Sequence, residues 1–316
     1  MEIQQNISLK PFTTFKVGGK ADYFCKVTSL DELKQAIEFG RRNNLEIFVL
    51  GHGSNILISD EGFRGLVIKI ELFGIEFTDN KIIAGAGESW DKIVELSVER
   101  ELYGIENMSF IPGTVGGAVI GNIGAYGNEI KDVVESVEVL NVENLETISL
   151  NKNECRFDYR NSIFKTEKKD YIITKIFIKL SKNDKLNLSY KDLKEFFKDK
   201  NPTLKDVRNA VKKIREKKLP SLSKYGTAGS FFKNPIIKGN KVYLAKTLDN
   251  LGLKGLRVGN VALYKNQSLV VVNLGGASAY EIKNFTDNIA QKVFDKFKIK
   301  IKEEIIFVGE FETLKH

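Results

Sequence analysis

The residues best suited to chemistry sit in and around glycine-rich turns. Gly51-His52-Gly53-Ser54-Asn55 lies between two short apolar runs. Pro112-Gly113-Thr114-Val115-Gly116-Gly117-Ala118 and Gly121-Asn122-Ile123-Gly124-Ala125-Tyr126-Gly127 follow downstream. Stretches this rich in glycine make poor helices and poor central strands, but they let backbone N–H groups come close to something flat or anionic. A concave run of such donors suits phosphate oxygens. Neither cluster is a phosphate motif by pattern alone. Gly51-x-Gly53 leads into a strand rather than a helix, and no Gly-x-x-x-x-Gly-Lys-[Ser/Thr] loop is present. Tight turns and a dinucleotide site therefore both remain open, and two dense clusters favour the dinucleotide.

Two further segments carry polar chemistry. Cys155-Arg156-Phe157-Asp158-Tyr159-Arg160-Asn161-Ser162 mixes cations and aromatics without a clear period. Arg160 could fork onto a carboxylate or a phosphate, or form a surface ion pair. Thr227-Ala228-Gly229-Ser230-Phe231-Phe232-Lys233-Asn234-Pro235 puts a hydroxyl between small residues and two phenylalanines. It is not Gly-x-Ser-x-Gly, so an α/β-hydrolase elbow is not indicated. Histidine is scarce: His52 is the only internal one of two, the other being His316. A multi-histidine metal site is thereby excluded, and no metal is expected. Catalytic protons must move through Ser, Tyr, Lys, Cys or a carboxylate.

The elements that must position these residues alternate between short strands and helices. Ser29 and Glu32 read as a capping box opening a helix from Leu30 to Asn43. Ile47–Leu50, Ile56–Ile58, Leu66–Ile70, Ile82–Ala84, Val133–Leu140 and Tyr171–Leu180 read as strands. Ser89 is expected to cap a helix carrying Trp90, Ile93, Val94, Ser97 and Leu102. Pro202 and Thr203 start another, closed by Pro220. Val261–Asn273 reads as a hairpin turning near Lys265-Asn266, Ser278 and Glu281 as a capping box, and Glu304–Val308 as a last strand. Ser181–Lys185 reads as a turn near a domain edge. The sum is an α+β protein in two parts.

Composition bounds the rest. The chain has 316 residues, is 42% hydrophobic and 28% charged, and carries a formal charge of +8. These values exclude a disordered or fibrous chain. No apolar run approaches the ~18 residues of a membrane span, and no basic-then-apolar start marks a signal peptide, so a cytoplasmic location is expected by default. Cys25 and Cys155 are then expected as reduced, buried thiols. The densest basic stretch, Lys212 to Lys218, ends a helical pattern, where the macrodipole alone favours cations. No aromatic-interleaved patch supports nucleic-acid binding.

Read together and in order, these segments closely resemble the UDP-N-acetylenolpyruvoylglucosamine reductases (UDP-N-acetylmuramate dehydrogenases). The matching stretches are Thr13–Gly19, Leu50–Asn55, Ile111–Gly117, Asn122–Gly127, Tyr159–Phe164 and Ala228–Pro235. The resemblance implies a vanillyl-alcohol-oxidase-type FAD-binding module of two α+β subdomains over 1–185, split near 70. It implies a smaller α+β substrate-binding domain over 186–316. Non-covalent FAD would be held by Gly51, His52, Gly53, Ser54, Asn55, Gly113, Thr114, Gly116, Gly117, Ala118, Gly124, Ala125 and Tyr126. Arg160, Ser230 and Glu304 match the catalytic arginine, proton donor and glutamate, with a one-place slip to Glu303 left open. Arg215, Lys218, Asn234 and Gln267 would face the UDP-sugar. Tyr190, in Leu188–Leu193, matches the substrate-covering loop of the type I members. NADPH enters as co-substrate only through the resemblance, as does a role in peptidoglycan synthesis; no nucleic acid, membrane insertion or obligatory protein partner is implied. An oxidase on the same flavin module, with His52 as a covalent attachment point, is the alternative enzyme. A flavin-free protein that binds or transfers a nucleotide sugar, and a basic nucleic-acid binder, are the other two.

Overall fold

The computed structural model describes residues 1–183 and 185–311. His316, and Asp184 of the expected Ser181–Lys185 turn, lie outside the described residues. The chain forms two compact units, neither continuous in sequence. The first unit comprises Met1–Glu2, Cys25–His52 and Ile68–Arg215; the second comprises Ile3–Phe24, Gly53–Val67 and Glu216 onward. Strands and helices are mixed in both, as expected for an α+β protein. Among the described residues no helix is long and apolar enough to cross a membrane.

The first unit is built on a five-stranded sheet ordered Thr147–Asn151, Val134–Asn141, Tyr171–Lys179, Lys81–Gly85, Ile75–Thr78. Each of these strands runs antiparallel to its neighbours. Val137, Val139, Ile176, Ile178, Ile82 and Ala84 supply buried apolar residues on the three middle strands. The helix Val115–Ile120 packs on Tyr171–Lys179 and Lys81–Gly85. Trp90 is fully buried, and its indole N–H donates to the Met108 carbonyl at 3.1 Å, so the largest apolar side chain leaves no orphan donor. A separate cluster of Leu193, Phe197, Val207, Ala210, Val211 and Ile214 seats the helix Leu204–Lys218.

The second unit packs Phe15, Phe231, Phe232, Leu263, Val271, Ile282, Phe285 and Ile289 into one core. Its three-stranded sheet runs Arg257–Val258, Val261–Tyr264, Gln267–Asn273, with the turn at Lys265-Asn266 as expected. Ser278 and Glu281 form the expected capping box at the start of Ala279–Phe297. Asp60 adds a distant cap there, accepting from the Ala279 and Tyr280 N–H groups at 2.8 and 2.9 Å. Ile56–Ile58 pairs in parallel with Ile306–Val308.

Three local expectations need correction. Ser29 accepts from the Glu32 N–H, but the Glu32 carboxylate takes the N–H and hydroxyl of Thr28 instead, so the box is displaced by one residue. Ser89 stands at the N-cap of Trp90–Glu99 without a side-chain cap bond. Leu102 falls past the end of that helix, because Glu101 turns left-handed at φ +55° and hands its neighbour's N–H back to the Ser97 carbonyl.

Cys25 and Cys155 are buried free thiols. Burial, then the nearby Glu32, pushes Cys25 up to about 11, and burial, then Glu154, pushes Cys155 up to about 12. Only the thiolate is a nucleophile, so neither should react readily. Folded protein at pH 8 is expected to resist alkylation and to take up label on both thiols after denaturation. Rapid labelling of the native chain, followed by mass spectrometry, would contradict this.

Candidate active site

In the first unit the glycine segments and Arg160 form one construction. Asp158 and Asn161 exchange two backbone hydrogen bonds of 3.0 Å, leaving Tyr159 and Arg160 at the tip of a tight turn. Arg160 is left-handed there, at φ +53°. Its Nη2 donates to the Gly124 carbonyl at 2.7 Å and its Nη1 reaches the Asn122 carbonyl at 3.5 Å. A side chain at Gly124 has no room: a Cβ would stand 2.8 Å from the Asn128 carbonyl oxygen and 3.4 Å from Arg160 Nη1. Here glycine is required by protein packing.

Asn122 holds the turn from beneath. It is fully buried, and its amide donates to the Asp158 carbonyl at 2.9 Å and to Glu129 Oε2 at 3.0 Å. Its Oδ1 accepts from the Lys131 N–H at 3.3 Å. Sequence reasoning placed Asn122 in a motif but not in the site. The signal was an Asx residue in a glycine run, which tolerates the left-handed φ of +39° it adopts.

Thr114 caps Val115–Ile120 by accepting from the Gly117 N–H at 3.2 Å. Gly51 lies against it, since a Cβ there would stand 2.7 Å from Thr114 Oγ1. Gly116 presses on Ala86, where a Cβ would meet the Ala86 methyl at 3.2 Å. Gly117 differs. It is exposed, inside a helix, and a methyl group there would meet only Thr114 Oγ1, at 3.4 Å. Glycine inside a helix costs about 0.5–1 kcal/mol relative to Ala. Among the described residues no neighbour accounts for that cost, whereas a flat or anionic group approaching the backbone would. The donor set and this bare position fit a dinucleotide.

Tyr126 closes the two-residue hairpin that begins at Gly124-Ala125. Burial pushes its phenol up to about 12, so it stays protonated. It shares a side-chain hydrogen bond with Arg215, and its ring meets Tyr190 edge-on at 5.2 Å. Tyr190 itself is exposed. His52 is exposed too, yet desolvation and the Lys69 ammonium hold its pKa below the ordinary value.

In the second unit a backbone ladder gathers Asn55, Ser230 and Glu304. Ser230 bridges Val270, and the Phe231 N–H donates to the Leu269 carbonyl at 2.8 Å. On its other edge the same segment receives the Glu304 N–H at the Phe231 carbonyl, 2.7 Å away, while Phe232 bridges Glu303. Asn55 Nδ2 donates to the Glu304 carbonyl at 3.3 Å, and the Asn55 carbonyl accepts from the Ile306 N–H at 3.0 Å. Phe231 and Phe232, both buried, anchor the extended segment that carries Ser230. Gly53 sits beside Phe12, whose carbonyl oxygen would be 2.1 Å from a Cβ. Ser54, Lys218 and Gln267 are half-buried. Asn234 Oδ1 accepts from the Leu244 N–H at 2.9 Å, at the start of the helix Leu244–Asn250.

Comparison with known proteins bears on both units. A family model described as an FAD binding domain matches residues 21–150. A second, the C-terminal domain of UDP-N-acetylenolpyruvoylglucosamine reductase, matches residues 221–308. The reductase of that name from Flavobacterium johnsoniae is 42% identical over 96% of this chain and 99% of its own. The chain belongs to the UDP-N-acetylenolpyruvoylglucosamine reductase family. The reductase of Aliivibrio fischeri is 36% identical over 97% of this chain and 95% of its own. The solved structure of the Thermus caldophilus reductase superposes with a TM-score of 0.75 at 28% identity, covering 98% of this chain and 100% of that one. The α+β fold with an FAD-binding module, expected from sequence, is the fold of this family.

The Asn122 anchor makes a separate prediction. Asn122→Ala is expected to lower unfolding free energy by about 1–3 kcal/mol, the usual loss for a buried hydrogen-bonded group. Denaturant melts read this directly, and an unchanged midpoint would mean that Asn122 does not hold the turn.

Proposed function

We propose that the protein is an NADPH-dependent flavoenzyme that reduces the enolpyruvyl group of UDP-N-acetylglucosamine enolpyruvate. The product is the lactyl ether, UDP-N-acetylmuramate, for peptidoglycan synthesis. In this reading residues 1–185 serve the flavin and 186–316 the sugar nucleotide. The observation that carries it is the ladder locking the Ser230 segment to Glu304 and Asn55, in a chain of this family. The +8 formal charge suits three anionic ligands.

FAD, held by the backbone donors of 51–55, 113–118 and 124–126, supplies hydride chemistry when bound. The chain supplies position, field and a proton. Hydride arriving at C3 of the enolpyruvyl group drives negative charge into its carboxylate. Arg160, preset by the Gly124 carbonyl, stabilises that charge without reorganising. Glu304 assists by orienting the cation or by acting in its protonated form. Ser230 delivers the proton to C2. A hydroxyl needs no pKa adjustment to stay protonated, and an enolate is basic enough to take its proton. Arg215, Lys218, Asn234 and Gln267 bind the UDP-sugar, and Tyr190 covers it.

Ser230→Ala tests this reading. It deletes one oxygen from an anchored segment, so folding and flavin binding should persist. Flavin reduction by NADPH in stopped flow is expected to stay near wild type. Reoxidation by substrate should slow by at least ~10²-fold, the scale of a positioned general acid. Equal slowing of both half-reactions would make Ser230 a structural residue.

A further inference from the structure

Phe110 is a bulky residue in a left-handed conformation, at φ +58°. Such a residue is strained and persists only where its surroundings fix it. Three groups hold this one closely, with the Lys212 ammonium farther off, 5.5 Å from its ring centroid. Its N–H donates to Asp91 Oδ1 at 2.6 Å. Its ring lies beneath the Arg208 guanidinium, 4.4 Å from Cζ to the centroid. Its carbonyl accepts from Arg215 Nε at 3.1 Å. Arg208 and Asp91 in turn form a forked pair at 2.7 and 3.0 Å, with the Arg208 side chain only 11% exposed.

The location gives the clamp its meaning. Phe110 opens the segment that runs through Gly113 and Thr114 into Val115–Ile120. Arg208 and Arg215 sit seven residues apart on one face of the helix Leu204–Lys218. Arg215 also bonds Tyr126, in the neighbouring glycine hairpin. The Trp90 N–H, next to Asp91, donates to the Gly113 carbonyl at 3.1 Å.

We infer that Arg208, with Asp91, is a positioning pair that holds Phe110 left-handed and thereby presets the loop 111–118 for the flavin and Arg215 for the UDP-sugar. The assignment of those ligands rests on the function proposed above; the mechanical claim does not. A plain N-terminal acid on Trp90–Glu99 would explain Asp91 alone, but not its second partner at the Phe110 N–H.

The test is a double-mutant cycle. Arg208→Met is compared with wild type, and again in a Phe110→Gly background, where the left-handed conformation costs nothing. Two readouts are taken: hydrogen exchange of the Val115 and Gly116 amides in flavin-free protein, and the FAD Kd from flavin fluorescence. Relief of one strained residue should speed exchange about tenfold and raise the Kd about tenfold in Arg208→Met. Both effects should shrink below about threefold in the Phe110→Gly background, because the strain that the clamp opposes is gone. Should Arg208→Met fail to fold, Arg208→Lys carries the same comparison, since an ammonium cannot fork onto both Asp91 oxygens. Unchanged exchange in Arg208→Met, or the same loss in both backgrounds, overturns the inference. If wild type binds no FAD, the flavin reading fails while the exchange cycle still decides the clamp.

Discussion

The contact between the Arg160 guanidinium and the Gly124 carbonyl constrains everything around it. At 2.7 Å it fixes a cation on a backbone oxygen. The glycine at 124 has no space for a methyl group, so the approach is available to that residue type alone. The turn that presents Arg160 is in turn bolted to the same segment through buried Asn122. A charge meant to stabilise a developing anion works best when it needs no rearrangement as the reaction proceeds.

The same logic recurs in both units. In the first, Phe110, Asn122, Tyr126 and Arg160 all take left-handed conformations uncommon for non-glycine residues. Each is held by neighbours: Phe110 by Asp91 and Arg208, Asn122 by Glu129, Tyr126 through Asn107, whose amide donates to its carbonyl at 2.8 Å. In the second unit backbone pairing does most of the holding, with the Asn55 amide on the Glu304 carbonyl beside it. The Ser230 segment is paired on both edges, by Val270 and by Glu303-Glu304, and two buried phenylalanines weight it into the core. Strain accepted at these positions is offset by burial and pairing elsewhere.

Short apolar runs bounded by glycine or polar turns were legible in the sequence. The strands Ile47–Leu50 and Ile56–Ile58 and the hairpin at Lys265-Asn266 stand where the apolar pattern puts them. Lys20–Val27 was missed, because buried Phe24-Cys25 and half-exposed Asp22 and Tyr23 break its alternation. The interleaving of the chain was not legible either. Residues 3–24 and 53–67 belong with the C-terminal part, through pairings such as Ile56 with Ile306 that no local pattern encodes. Among the residues of the proposed site, Arg160, Ser230 and Glu304 stood out through their segments. Asn122, Asp91 and Arg208 did not, since ordinary polar residues acquire their roles only from partners distant in sequence. Asn234 was singled out by its motif alone, and nothing in the sequence signalled that its side-chain oxygen accepts from the Leu244 N–H.

At the centre of the proposed mechanism, Arg160 is a preset, forked charge rather than a surface cation. Steady-state turnover of Arg160→Lys, measured on protein whose flavin absorbance matches wild type, tests it most directly. A lysine cannot reproduce the guanidinium fork. Full flavin content is expected, with kcat reduced on the order of 10²–10³-fold, as for other preorganised charge stabilisers. Wild-type turnover in that variant would contradict it.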